Sequence, residues 1–414
     1  MVSTPALTQD DLRHLNRARV LRRLHAAGPA TRSELVAFTG LNRSTIGVVV
    51  TELADVGLVL EQAGQPGQVG RPSLRVVLNP ESAVVVALDL RVERTVAALI
   101  GIGGEVLARL EQRHPRSYAP EVAVRTLVSI VADLLEQGPP DAVWAGVGVG
   151  VPGTVEHRTG LVHNAPNLGW SEVPFAQMLH EGLKERLGRV PPVTVGNDAD
   201  LGAIAEHVRG RGIGCRNLVY VTADVGVGGG VIVDGRPLIG AAGISGELGH
   251  MVVNPQGAPC RCGARGCWET VIGHDAIVMA GRGVNRGSAV SDVGVDDPDV
   301  EDICVRATHG DAQARNALQV TGEWIGVGLA NLVNILDPDV IVLGGHLRLL
   351  YPQVSDMVEQ RVSLALPSRS TRVQITVPAL GGDSTLLGAA ETAFEELLAD
   401  PLEVVERHRR AVAS

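Results

Sequence analysis

Three cysteines and one histidine stand at a spacing that suits a metal ion. Cys260, Cys262 and Cys267 fall within eight residues, and His250 lies ten residues upstream of the first. Glycine turns between the cysteines can bring three thiolates to the corners of a tetrahedron, and the imidazole can supply the fourth ligand. The pattern predicts a closed, structural zinc site. A redox-active dithiol and inert buried thiols are the alternatives.

The charge of the chain is unevenly distributed. Residues 1–79 hold nine arginines and six acidic residues, a net charge of +3, whereas the remainder holds 27 basic and 40 acidic residues, a net charge of −13. A basic N-terminal segment on an acidic body indicates that only the segment meets a polyanion. Chance clustering of surface charge is the alternative.

The basic segment has the pattern of three consecutive helices. The first covers about residues 11–27, Thr31 with Glu34 forms a capping box that opens the second, and Asn42 can cap the third. Apolar residues at i, i+3, i+4 and i+7 predict the buried stripe of the third helix: Ile46, Val49, Val50 and Leu53.

A glycine turn at Gly40 joins the second and third helices, which indicates a helix-turn-helix whose second helix enters the major groove of DNA. Strands around residues 58–60 and 75–78 enclose a loop that predicts a wing. The candidate DNA-binding residues are Arg43, Ser44, Thr45, Gly47 and Thr51 on the helix and Arg71 on the wing. A protein-interaction or dimerisation module is the alternative. Because operators are usually read as paired half-sites, a homodimer or homotetramer is expected.

The rest of the chain alternates Val-rich strand patterns with helical ones, which favours an α/β architecture. We expect a DNA-binding domain over residues 1–80 and an α/β domain over residues 81–400. With 2% aromatic residues, the core must be aliphatic. No stretch approaches 18 apolar residues and charges occur early, so a cytoplasmic protein without a membrane span or secretory signal is expected.

Residues of the α/β domain carry a family resemblance. The run Gly246-Glu247-Leu248-Gly249-His250 is followed by the pattern C-x-C-G-x-x-G-C-x-E. Further motifs are Val151-Pro152-Gly153, Asn164-Ala165-Pro166-Asn167-Leu168-Gly169-Trp170, Gly196-Asn197-Asp198-Ala199, Gly228-Gly229-Gly230, Asn334-Ile335-Leu336-Asp337-Pro338 and Gly344-Gly345. Over residues 80–395 the chain resembles the ROK family of repressors and sugar kinases. The resemblance implies two actin-like, ribonuclease H-like lobes with a sugar in the cleft between them, and the winged helix matches the repressor branch.

The resemblance also implies roles for individual residues. Asn197 and Asp198 match a sugar-binding pair, and Asp198 matches the catalytic base of the kinases, since a carboxylate can accept a proton from a sugar hydroxyl. Three further residues match family residues that contact the sugar ring: Glu247, His250 and Glu269. Gly153 matches a position where the backbone approaches the sugar closely. His250 would then contact both zinc and sugar, and zinc would order the loop of residues 250–269. A helix N-cap is the alternative role for Asp198.

Two phosphate-binding motifs of the kinases are altered in this chain. An Asp-x-Gly-Gly-Thr loop is replaced by Asp89-Leu90-Arg91-Val92-Glu93, so both glycines are absent and Glu93 would repel phosphate. A Gly-Thr-Gly loop is replaced by Asp224-Val225-Gly226. Phosphoryl transfer depends on positioning and charge neutralisation, so the sequence predicts sugar binding without catalysis.

These observations predict a sugar-responsive transcriptional regulator, a repressor of carbohydrate-utilisation genes that sugar binding releases from its double-stranded DNA operator. One alternative is a sugar kinase with an appended DNA-binding segment. Another is a regulator with an inactive pocket, controlled by a phosphotransfer or transporter protein.

Overall fold

The computed structural model describes residues 8–63, 74–283, 299–365 and 373–413. The chain divides into two compact units, the first formed by Met1–Gly196 with Ala389–Ser414 and the second by Asn197–Gly388. Among the described residues, no helix has both the length and the apolar character that crossing a membrane requires.

The N-terminal segment is a winged helix, as predicted. Its elements are α1 (Gln9–Ala27), β1 (Ala30–Thr31), α2 (Arg32–Thr39), α3 (Arg43–Asp55), β2 (Val59–Ala63) and β3 (Leu74–Leu78). The sheet order is β1-β3-β2, with β2 and β3 antiparallel. The capping box of Thr31 with Glu34 is confirmed, and the Asn42 side chain accepts the N–H of Thr45 at 2.8 Å, so both predicted helix starts are correct.

The first unit continues with a five-stranded sheet in the order β11-β7-β4-β5-β6. The elements are β4 (Ala83–Leu90), β5 (Arg94–Gly101), β6 (Val106–Arg113), α4 (Pro120–Glu136), β7 (Val143–Val151), β8 (Thr154–Val155), β9 (Val162–Ala165), β10 (Trp170–Val173), α5 (Phe175–Leu187) and β11 (Val193–Asn197). Every residue of β4 and β7 is buried, which explains why both strands are apolar apart from Asp89 near the end of β4.

The second unit contains a sheet of the order β14-β13-β12-β15-β16, with β12 and β15 parallel. The elements are α6 (Asp198–Arg209), β12 (Leu218–Ala223), β13 (Val227–Val233), β14 (Arg236–Pro237), a 3-10 turn (Leu248–His250), α7 (Glu269–Ile272), α8 (His274–Gly281), α9 (Val300–Thr308), α10 (Ala312–Leu336), β15 (Val340–Gly345), α11 (Leu347–Ala365) and β16 (Gln374–Thr376), before a second 3-10 turn (Gly381–Asp383). When the five strands of each sheet are numbered 1 to 5 in the order they occur along the chain, both sheets have the strand order 3-2-1-4-5. The two sheets therefore share one α/β topology.

Two C-terminal helices, α12 (Ser384–Ala399) and α13 (Pro401–Ala413), complete the chain. The first turn of α12 belongs to the second unit and the remainder to the first. Within the first unit, α12 lies directly on β7. A Cβ at Gly146 or Gly148 would overlap the carbonyl groups of Ala393 or Ala389, so only glycine permits this close approach.

Candidate functional site

The predicted metal ligands come together in the second unit. The ligand atoms of His250, Cys260, Cys262 and Cys267 all lie within 4.8 Å of one another. Nδ1 of His250 is 3.6 Å from Sγ of Cys260, and Sγ of Cys262 is 3.6 Å from Sγ of Cys267. Neighbouring ligands of a tetrahedral zinc ion, with Zn–S bonds of about 2.3 Å, lie about 3.7 Å apart. The four side chains therefore fit one zinc ion, and these sulfurs are too far apart for a disulfide.

The three thiols have different environments. Burial raises the pKa of the Cys260 thiol and raises the pKa of Cys267 to about 12. A hydrogen bond from the backbone of Ala264 lowers the pKa of Cys262. Since a thiol with a raised pKa is protonated at neutral pH, a bound cation is what would convert Cys260 and Cys267 to thiolates.

Backbone hydrogen bonds hold the cysteine loop in shape. The N–H of Cys260 donates to the carbonyl of Ala264 at 2.8 Å, and the N–H of Gly263 donates to the carbonyl of Cys260 at 3.0 Å. Gly266 has a φ of +70°, and a Cβ there would overlap the carbonyl oxygen of Asn254. The loop thus needs glycine between its second and third cysteines.

A buried tryptophan fixes the loop to the rest of the unit. Trp268 follows the last cysteine, is fully buried, and donates its indole N–H to the carbonyl of Trp324 on α10 at 2.8 Å. A Cβ at Gly328 of α10 would overlap the indole ring. The backbone N–H of Trp268 also donates to the carbonyl of Met251 at 2.8 Å, and Met251 directly follows the predicted metal ligand His250.

The structure brings the predicted sugar-binding residues of the loop next to the metal ligands. Nε2 of His250 is 3.8 Å from a carboxylate oxygen of Glu247. Oε2 of Glu269 accepts the N–H of Val227 at 3.0 Å, and Oε1 lies 4.0 Å from Sγ of Cys260. Nδ1 of His250 faces sulfur and Nε2 faces Glu247, so the ring geometry is compatible with the predicted double role of His250. The sugar contacts themselves stay predictions.

Asn197 and Asp198 lie where β11 ends and α6 begins. The Asn197 side chain accepts the N–H groups of Ala199 at 2.8 Å and Asp200 at 3.1 Å, so Asn197 is the N-cap. Asn197 rather than Asp198 therefore occupies the N-cap position, although the Asp198 carboxylate also accepts the N–H of Ala199 at 2.9 Å. Asp198 is the first helical residue, where the helix dipole stabilises its carboxylate.

Gly153 lies in the first unit, whereas the other five predicted sugar-binding residues lie in the second. It follows β7 and precedes β8, and a Cβ there would come within 2.8 Å of Cα of Ala165. Packing alone thus requires glycine at this position, and its approach to a sugar stays a prediction.

Asp200 is a candidate residue that the sequence analysis missed. Burial, and secondarily the negative charge of Glu247, raise the pKa of Asp200 to about 7. Perturbed carboxyl groups of this kind are frequent in functional sites. The sequence signal was the position of Asp200 two residues after Asp198, but its burial depends on the tertiary fold.

The altered first phosphate motif has an internal ion pair. Asp89 at the end of β4 is buried, and its carboxylate accepts a hydrogen bond from Nε of Arg91 at 2.6 Å. Glu93 is paired with Arg116. In the described structure, the chain's own guanidinium group therefore lies beside the aspartate of this motif.

The predicted DNA-reading helix α3 presents its polar residues as expected. Arg43, Ser44 and Thr51 are exposed and Thr45 and Gly47 are half-buried, whereas the predicted apolar stripe is buried. Val48, which is 56% exposed, lies among them and was missed because its neighbours Val49 and Val50 are core residues. An exposed methyl group can contact a thymine methyl in the major groove. Arg71, the predicted wing residue, lies outside the described residues.

Comparisons with known proteins place these features in a family. The ROK family model matches residues 85–396. The xylose repressor of Bacillus spizizenii is 27% identical over 393 residues, which cover 94% of this chain and 97% of the repressor. The glucokinase of Halalkalibacterium halodurans is 34% identical over 251 residues, covering 59% of this chain and 74% of the kinase. A crystal structure of a ROK family transcriptional regulator, a homologue of the Escherichia coli Mlc protein, has a TM-score of 0.76 and 25% identity, covering 95% of this chain and 99% of that one.

The raised pKa of Asp200 makes stability depend on pH. The unfolded chain loses this proton near pH 4 and the folded chain near pH 7, so the free energy of unfolding falls as pH rises between these values. Three pKa units correspond to at most about 4 kcal/mol. We expect Asp200→Asn to remove this component from denaturant unfolding measured at pH 5 and at pH 8.

A matched control is Asp356→Asn, which changes an exposed aspartate on α11. The control should keep the pH dependence of the natural protein. If Asp200→Asn lost stability in parallel with the natural protein over this range, Asp200 would not be the group responsible.

Proposed function

The chain belongs to the ROK family, and from that premise we propose that it is a sugar-responsive transcriptional regulator, a repressor that sugar binding releases from DNA. The observation that carries this proposal is the combination within one chain of a winged helix with an exposed polar reading face and a ROK domain with altered phosphate motifs. The xylose repressor matches the chain over 94% of its length, whereas the glucokinase matches 59% of it.

The proposed DNA contacts follow from the exposed face of α3. Arginine and hydroxyl side chains at the start of a recognition helix can read base edges and contact phosphates. The proposed contacts are Arg43, Ser44, Thr45, Gly47, Val48, Thr51 and, on the wing, Arg71. A homodimer or homotetramer would present two such helices to paired half-sites.

The proposed sugar contacts are hydrogen-bonding groups around the metal loop and the start of α6. Carboxylates accept hydrogen bonds from sugar hydroxyls, and an imidazole can donate or accept one. The proposed residues are Asn197, Asp198, Glu247, His250 and Glu269, and Gly153 of the first unit is proposed separately as a position of close backbone approach to the sugar. A zinc ion on His250 and the three cysteines would fix the loop and has no catalytic part in this proposal.

The helix α12 offers a physical route from the sugar-binding residues to the DNA-binding segment. At its start, within the second unit, the hydroxyl of Thr385 donates to the carbonyl of Asp198 at 3.1 Å. The buried carboxylate of Glu206 on α6 accepts the hydroxyl of Ser384 at 3.1 Å and the N–H of Leu380 at 3.0 Å. A displacement of Asp198 on sugar binding would therefore act directly on the first turn of α12.

Further along, within the first unit, α12 holds the DNA-binding segment through α1. Nε2 of His25 is 3.2 Å from Glu391, and both side chains are buried, at 2% and 7% exposure. Nδ1 of His25 accepts a hydrogen bond from the N–H of Gly103 at 3.0 Å, so the ring proton lies on Nε2. The Nε2–H group then donates a hydrogen bond to the carboxylate of Glu391. Arg22 also makes a bidentate pair with Glu395, with distances of 2.7 and 2.6 Å. The helix α12 thus contacts Asp198, a proposed sugar-binding residue, at its start and α1 of the DNA-binding segment further along.

The proposal predicts a sugar that raises the thermal unfolding temperature of the zinc-loaded protein. At 100 times its dissociation constant a ligand adds about 2.7 kcal/mol, which moves the melting curve by several degrees. The measurement is a melting series with pentoses, hexoses, N-acetylated sugars and sugar phosphates, each with and without Mg-ATP. Asp198→Asn should abolish the shift, whereas the control Asp356→Asn should keep it.

Other outcomes of this series separate the alternatives. Added stabilisation by Mg-ATP together with sugar-dependent ATP turnover would support the kinase. No shift with any sugar, together with regulation that is unchanged by Asp198→Asn, would favour control by a protein partner and contradict the proposal.

The route through α12 predicts that Glu391→Gln uncouples the two activities. Coupling between two sites is typically 1–3 kcal/mol, which is about 5–150-fold in affinity. We expect the variant to bind sugar with unchanged affinity, while the sugar's effect on DNA affinity falls several-fold. Fluorescence anisotropy with a duplex selected from a random library measures both affinities.

Glu396→Gln is the matched control, because Glu396 lies on the same helix but pairs with the exposed Arg407. The route would be contradicted if the sugar changed DNA affinity in Glu391→Gln as much as in the natural protein. It would also be contradicted if Glu391→Gln and Glu396→Gln lost this effect equally.

A further inference from the structure

A second group of metal-ligating side chains lies in the second unit and shares no residue with the cysteine cluster. His274, His346 and Asp299 each bring one nitrogen or oxygen atom within 4.8 Å of the others. We propose that these residues bind a divalent transition-metal ion such as Zn²⁺. The inference does not depend on the regulatory function proposed above.

The sheet places the first part of this site. β12 and β15 are parallel neighbours with Ala223 opposite Gly345, so the residues that follow, Asp224 and His346, leave the sheet at the same edge. The N–H of His346 donates to the carbonyl of Ala223 at 2.6 Å, and the N–H of His274 donates to the carbonyl of Asp224 at 3.3 Å. The carboxyl ends of parallel strands are where α/β sheets commonly bind ligands.

The two imidazoles lie beside each other, with ring centroids 5.4 Å apart. Nδ1 of His274 is 3.2 Å from a carboxylate oxygen of Asp275, which accepts a hydrogen bond from the ring N–H. This hydrogen bond leaves the lone pair of Nε2 directed away from Asp275, and Nε2 lies 3.8 Å from Asp299. A histidine oriented by a carboxylate in this way is the usual arrangement at protein metal sites.

The distances fit a bridging ion better than direct hydrogen bonds. At 3.8 Å, Nε2 of His274 and Oδ1 of Asp299 are too far apart for a hydrogen bond. Two ligands of a tetrahedral ion with bonds of about 2.1 Å lie about 3.4 Å apart, so a movement of roughly half an ångström would bring this pair to ligand spacing. Asp299 is itself held in place, because it accepts the N–H of Val300 at 2.6 Å as the N-cap of α9.

The surrounding charges favour a cation. Asp224 lies 3.9 Å from Nε2 of His346, so three carboxylates surround the two imidazoles. The basic groups that face the cluster are Arg261, 3.9 Å from Asp275, and Arg348, whose charge acts on His346. Asp299 is 64% exposed and the imidazoles about a quarter, so an ion can enter from solvent. Imidazole ligands favour zinc, cobalt and nickel over magnesium and calcium.

The test is metal binding by the full chain, with Zn²⁺ for stoichiometry and Co²⁺ for spectroscopy. We expect two ions per chain. Cobalt at the cysteine cluster gives strong sulfur-to-metal charge transfer, whereas the second ion gives only the weaker bands of nitrogen and oxygen ligands. His274→Gln and His346→Gln should each lose the second ion and keep the charge-transfer band, which also reports that the second unit is folded.

Two further variants sharpen the assignment. Asp275→Asn should weaken the second site by about 10–100-fold without abolishing it, because the residue orients a ligand. His157→Gln, which changes an exposed histidine of the first unit, should bind both ions, and excess Mg²⁺ should not compete. A single ion per chain, or a second ion that survives both histidine substitutions, would overturn the proposal.

Discussion

The close approach of three cysteines and His250 is the constraint on which the proposed sugar site would depend, since their ligand atoms all lie within 4.8 Å of one another. The segment between the 3-10 turn and α7 contains little regular structure, so short backbone hydrogen bonds, the Gly266 turn and the buried Trp268 define its path. Burial opposes ionisation of Cys260 and Cys267, so binding of a metal ion by these thiols would release protons. Glu247 precedes the cysteine loop in sequence and lies 3.8 Å from His250, and Glu269 follows the loop and lies 4.0 Å from Cys260. The positions of both carboxylates therefore depend on the conformation of this loop.

The altered phosphate motifs bear on the proposed role of the domain. The aspartate of the first motif, Asp89, is buried in an ion pair with Arg91, and the resemblance to the kinases places Asp224 at a glycine position of the second motif. Asp198, by contrast, retains its place at the start of α6, from which the Thr385 contact leads into α12. The buried pair of His25 and Glu391 then attaches α12 to α1. The groups that would hold phosphate are altered, while those that can connect a ligand to the DNA-binding segment are present.

Local sequence patterns predicted the local structure and the clustering of His250 with the three cysteines. Thr31, Glu34 and Asn42 determine helix starts through side chains three residues from their partners, and the cysteines lie close enough in sequence for their spacing to predict that they cluster. Contacts between distant residues were not predictable in this way. His25 and Glu391 are 366 residues apart, His274 and His346 meet only because β12 and β15 are adjacent, and Asp200 has a raised pKa only because the fold buries it. Val48 is exposed although it lies in an apolar run, because its exposure depends on which face of α3 packs against the other helices.

The most direct test of this account is the affinity for the effector sugar, measured by calorimetry on zinc-loaded protein, on protein stripped by a chelator, and after zinc is restored. DNA binding by the N-terminal segment, measured on the same samples, reports whether the rest of the chain stays folded. We expect stripping to abolish sugar binding, restored zinc to recover it, and DNA binding to persist throughout. Equal sugar affinity with and without zinc would contradict this account, because the loop would then hold its sugar-binding residues without the metal.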